Sequence, residues 1–87
     1  DSTNGNAYAA RGLDKYQLKD FTGAIEDYNK AIKLIPNYGE VYDLRGIAKG
    51  ELGDKKGSCE DFNKAYELGF NEAFKLIEKF CLEEEKK

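Results

Sequence analysis

An internal periodicity constrains this chain more than any other feature. Laid over itself at an offset of 34, the stretch 5–38 matches the stretch 39–72 at fifteen positions without a gap. The pairs begin Gly5/Gly39, Tyr8/Tyr42, Arg11/Arg45, Gly12/Gly46, Lys15/Lys49, Leu18/Leu52, Asp20/Asp54 and Gly23/Gly57. They continue with Glu26/Glu60, Asp27/Asp61, Asn29/Asn63, Lys30/Lys64, Ala31/Ala65, Leu34/Leu68 and Asn37/Asn71. Unrelated stretches would share about two at ordinary residue usage. Self-similarity at such a period marks stacked copies of one supersecondary unit. Inside each copy apolar residues recur at three- and four-residue steps, as in Phe21, Ala24, Ile25, Tyr28, Ala31 and Ile32, so the units are helical.

The spacing predicts an all-α chain of five helices, near 7–18, 21–34, 40–52, 55–68 and 71–84. Lys19-Asp20 and Gly53-Asp54 form the turns inside the units, and Pro36 ends the first unit because it cannot continue a helix. Gly69 is placed to close the fourth helix in a left-handed conformation, and Asn71 to cap the fifth. Phe74 follows Tyr42 by 32 residues rather than 34, so the fifth helix restarts the unit with a shortened linker. Its stripe of Phe74, Ile77, Phe80 and Cys81 would cover the apolar face that the last full unit leaves bare. The domain divides into a flexible polar lead-in (1–6), one unit at 7–38, a second at 39–70 and a capping helix at 71–87 that ends in a solvated charge run.

A period of 34 also suits the ankyrin repeat, and the residue pattern decides between them. Tyr8, Gly12, Ala24, Tyr28, Ala31 and Pro36, repeated as Tyr42, Gly46, Ser58, Phe62 and Ala65, resemble the signature of the tetratricopeptide repeat. Arg11 and Arg45 stand where the signature has Leu, Lys15 and Lys49 where it has an aromatic, and Phe70 where the second closing Pro would fall. The resemblance implies a right-handed superhelical layer whose first helices line a concave surface for a peptide or partner helix. Carried over residue by residue, that surface comprises Asn6, Ala9, Ala10, Leu13, Tyr16 and Gln17 from the first unit. The second unit supplies Glu40, Asp43, Leu44, Ile47 and Glu51, with Lys75 and Lys79 bordering from the cap. Family members that clamp a partner's terminal carboxylate use lysines and asparagines here. Ala9, Leu13 and Leu44 hold those places, so that activity is not expected. A basic or amphipathic peptide fits better on charge grounds. The alternative is a structural repeat that stacks on a copy of itself as a homo-oligomer, or a segment of a larger protein.

By repeat register Cys59 lies near the start of a second helix and Cys81 late on the cap helix packed antiparallel to it. The two either form a disulfide, for which the Cα atoms must lie about 4.4–6.8 Å apart, or remain buried thiols acting as small hydrophobes. The C-terminal part, from Cys59-Glu60-Asp61-Phe62 to Ile77-x-x-Phe80-Cys81, also looks like the end of exported tetratricopeptide proteins of Bacteroides-type bacteria. That likeness implies an extracytoplasmic setting in which a disulfide persists. Arg11 with Asp27 and Arg45 with Asp61 share an offset of sixteen, which suits ion pairs between neighbouring helices, within a unit or from Arg45 back to Asp27.

The net charge of −3 argues against a general binder of nucleic acid or anionic membrane. Nothing resembles a transmembrane span or an intact signal peptide. With two cysteines and no histidine the ligands of a structural zinc site are missing, and no metal or cofactor is expected. Nucleophile-elbow and phosphate-loop motifs are lacking as well, so the reading is non-enzymatic.

Overall fold

In the computed structural model, which describes residues 2–82, the chain forms α1 (Ser2–Gln17), α2 (Phe21–Leu34), α3 (Gly39–Glu51), α4 (Lys55–Glu67) and α5 (Ala73–Leu76). The last continues as a π-helical turn, Ile77–Cys81. α1 pairs with α2 and α3 with α4, α2 packs on α3, and α4 packs on α5 and the π turn. No strand occurs among the described residues. The result is a thin layer, 42 × 26 × 16 Å, rather than a bundle closed around one axis.

Close approach within each pair is made at a glycine. A Cβ on Gly12 would fall 2.6 Å from Tyr28 Cε1, and one on Gly46 would fall 2.8 Å from Phe62 Cε1 and 2.9 Å from the Ser58 carbonyl oxygen. Tyr28 and Phe62 are therefore repeat-equivalent rings packed against the facing helix at these glycines, and both are buried. Ala24, Ala31, Val41 and Ala48 complete the core of the first three helices, while Ala65, Ala73 and Ile77 bury the junction with the cap. Small side chains predominate because helices this close leave no room for large ones.

Local chemistry sets the helix ends. Asp20 and Asp54 cap α2 and α4, their carboxylates accepting from Gly23 N at 3.0 Å and Gly57 N at 2.9 Å. The turns before them need a left-handed residue, supplied by Lys19 (φ 66°) in the first unit and Gly53 (φ 87°) in the second. Gly69 (φ 97°) closes α4 as expected.

Three expectations need correction. α1 starts at Ser2, so the segment expected as a flexible lead-in is helical from there. Gly5 lets that extra turn lie against Ile35, just as Gly39 lies against Leu68 and Phe70 in the second unit. The cap of α5 is Glu72, without a side-chain bond, and Asn71 stays in the turn, where its carbonyl accepts from Phe74 N. The single apolar stripe of the fifth helix is also broken. Ile77 is buried while Phe74, in the α-helical part, and Phe80, in the π turn, are each 42% exposed. The expected charge run at the chain end, and the cap beyond Leu82, lie outside the described residues.

Candidate functional site

The repeated arginines act inside their own units. Arg11 grips Asp27 with two bonds, Nε to Oδ2 at 2.9 Å and Nη2 to Oδ1 at 2.7 Å, and Arg45 grips Asp61 likewise at 2.8 and 2.7 Å. Lys15 and Lys49, standing where the repeat signature has an aromatic, close each group with their Nζ atoms 3.2 Å from the same carboxylates. Their recurrence at the 34-residue period was the available signal for this role. Each arginine also lies over a ring, Arg11 over Tyr8 and Arg45 over Tyr42. Arg45 has one more bond, donated from Nη1 to Asn29 Oδ1 of the preceding unit at 2.9 Å, where a bond to Asp27 was the alternative expected. Arginine bonding, with Lys15 adding to it, holds the Asp27 carboxyl below the usual range against the opposing effect of burial. Each group pairs a buried aspartate of the second helix with an arginine and a lysine of the first, and so holds the two helices together.

Cys59 and Cys81 are joined by a disulfide that ties the π turn to α4, with Cα atoms 5.8 Å apart. Beside that tie lies an open cavity of about 640 Å³. Its apolar lining is Ile47 of α3, Phe62 of α4, and Leu76 and Phe80 of the cap, with Glu51, Lys55 and Lys79 among the polar residues around it. Of the residues expected on the concave face, Ile47, Glu51 and Lys79 thus meet at one cavity. Tyr16 and Glu51 also meet, the phenol donating to Glu51 Oε2 at 3.3 Å across from α1 to α3; burial, and then the Glu51 charge and this bond, raise the Tyr16 pKa. Asn6, Ala10, Leu13, Gln17 and Glu40 are exposed, and Leu44 is half-buried. Ala9, 7% exposed, belongs to the core. Phe62, Leu76 and Phe80 were missed: Phe62 reads as core by its repeat register, and Phe80, read as part of the stripe covering the last unit, lines the cavity beside Leu76.

Asp43 is the unexpected member of the set. It is 7% exposed, its Oδ1 is buried with no hydrogen-bond partner, and its pKa is pushed up to about 6 by burial, then by Glu72 and Glu40. Among the described residues no three acidic or cysteine side chains are arranged to hold a metal ion, and no helix is long and apolar enough to cross a membrane.

Comparison with known proteins agrees with this geometry. Residues 12–53 match the family model described as TPR repeat, the tetratricopeptide repeat. The solved structure of the first TPR of Spaghetti (RPAP3) bound to the HSP90 peptide SRMEEVD superposes with a TM-score of 0.85 at 28% identity, over 94% of this chain and 67% of that one. MamA superposes with a TM-score of 0.77 at 22% identity, over 99% of this chain and 61% of that one, a likeness of fold alone. The chain thus spans about two thirds or less of each of these solved chains. No curated protein sequence matches it. The all-helical tetratricopeptide fold is thereby established, and the match of the repeats supports the family expected from the sequence. The likeness of the C-terminal part to exported Bacteroides-type proteins finds no support in these comparisons.

Proposed function

We propose, starting from a chain with the fold of tetratricopeptide repeats, that it is a non-enzymatic interaction module whose concave face takes a peptide or partner helix. One observation carries this reading: an apolar cavity of about 640 Å³ opens between α3 and the cap, lined by Ile47, Phe62, Leu76 and Phe80. A recess of that size and composition suits one or two apolar side chains of a partner, with polar groups at its edge to fix orientation. The neighbour bound to an HSP90 peptide uses the same fold to hold a peptide, which supports the class of partner. It does not supply the partner itself. Ala9, Leu13 and Leu44 offer none of the amide or ammonium groups that a terminal carboxylate needs, and the net charge is −3.

The test is titration of the labelled protein with an amphipathic helical peptide, followed by amide chemical shifts. Shifts should cluster on α3 and the cap and vanish in the double variant Leu13→Asp, Ile47→Asp, once circular dichroism shows that variant to be folded. Equal binding by both proteins would refute the groove. Sedimentation over a range of concentrations addresses the competing reading, self-stacking, which predicts a dimer and no retained peptide.

A further inference from the structure

Among the described residues three aspartates are buried, and one of them is treated differently. Asp27 and Asp61 each receive an arginine and a lysine. Asp43, 7% exposed, receives neither, and its Oδ1 is buried without a partner. The charged groups facing it are Glu40, one turn earlier on α3, and Glu72, at the head of α5. Among the described residues no ion pair reaches Glu40, Asp43 or Glu72, Lys75 included, although it lies on the same helix as Glu72. An unpaired buried carboxylate is costly, and two neighbouring carboxylates add to that cost. The three are not disposed to share a metal ion. The cation that suits them is an organic one, able to donate several bonds from a single point or fork.

We propose that Asp43, flanked by Glu40 and Glu72, receives a lysine or arginine side chain of the bound partner. This rests on the groove reading above and adds a chemical requirement to it. The spacing follows from the helices. Ile47 is four residues beyond Asp43 and Leu76 four beyond Glu72, and both line the apolar cavity. Four helical residues advance about 6 Å. The partner must therefore carry its cation about one helical turn from its apolar anchor.

Two acetylated, amidated helical peptides serve as probes, one with leucine and lysine four positions apart and the other with glutamine in place of lysine. Their affinities are read by fluorescence anisotropy. At neutral pH the lysine peptide should bind about tenfold more tightly than the glutamine peptide. That preference should disappear in Asp43→Asn and shrink in Glu40→Gln with Glu72→Gln, whose parent side chains are exposed. It should also fade on the acid side of Asp43's titration, near pH 6. Equal affinity for the two peptides would overturn the cation subsite and leave the groove standing. Binding of neither peptide would overturn both.

Discussion

Two glycines of α3, a turn apart, should respond to the same substitution with opposite signs. Replacing Gly by Ala inside a helix gains about 1 kcal/mol of propensity. At Gly50 nothing opposes that gain, since the new Cβ would meet Ser58 Oγ at 3.4 Å and Ser58 Cβ at 3.9 Å, ordinary contacts. At Gly46 the Cβ would fall 2.8 Å from Phe62 Cε1 and 2.9 Å from the Ser58 carbonyl oxygen. A ring can shift a little, but backbone can retreat only if α3 and α4 part. Overpacking of this kind costs about 1–3 kcal/mol. Parting the helices also stretches the 2.7 Å bond from Ser58 Oγ to the Gly46 carbonyl, a loss of about 1 kcal/mol. The net for Gly46→Ala is a destabilisation of about 2 kcal/mol, a fall in Tm of roughly 8–16 °C for a domain of this size. Gly50→Ala should raise Tm by roughly 2–6 °C, its gain trimmed by position in the last turn. Thermal unfolding followed by far-UV circular dichroism, with urea titration as a check on unchanged m, reads both. A Gly46→Ala protein as stable as the parent would refute close helix approach as the reason for the repeated glycine.

Three further outcomes follow from other parts of the layer. Tyr28 is wholly buried and its hydroxyl has no partner, which pushes its pKa up to about 12, whereas the equivalent position holds Phe62. Tyr28→Phe should therefore stabilise by about 1 kcal/mol in urea unfolding, and Phe62→Tyr should do the reverse. Reducing the Cys59–Cys81 bond, which spans 22 residues, should cost about 3 kcal/mol by loop-closure entropy. A melt with and without reductant, beside Cys59→Ser with Cys81→Ser, checks that figure. Asp27 has a depressed pKa in the folded chain, so its contribution is present above the unfolded value, about 4, and is lost as pH falls through the folded one. Asp43 works the other way: raised to about 6, it makes stability fall as pH rises from about 4 to that point. Asp43→Asn should flatten this limb of a stability–pH curve, while Asp27→Asn should flatten the acid limb below it.

The repeat made the layer legible before any coordinates, because a 34-residue period with Gly12 and Gly46 in register already specifies which helices approach closely. The Arg11–Asp27 and Arg45–Asp61 pairs were legible for the same reason. What escaped depends on contacts that only the assembled layer creates. Lys15 and Lys49 read as departures from a signature until the buried carboxylates beside them are seen. Asn71 is a good cap by residue type, but the shortened linker moves the helix start past it to Glu72. The π turn has no local signature in Ile77–Cys81, and Phe80, one of its residues, lines the cavity. Asp43 looked like a groove acid among others; burial and two neighbouring carboxylates distinguish it, and neither is a property of position 43 alone.

Arg45 reaches in two directions, to Asp61 of its own helix pair and to Asn29 of the one before, while Arg11 reaches in one. A side chain held at both ends makes each pair a lever on the other. Loosening α4 slackens the grip on α2, so amide hydrogens of α2 should exchange together with those of α4 rather than on a schedule of their own. α1 is tied across to α3 by the exposed bond from Tyr16 to Glu51, so its amides should be the first to exchange.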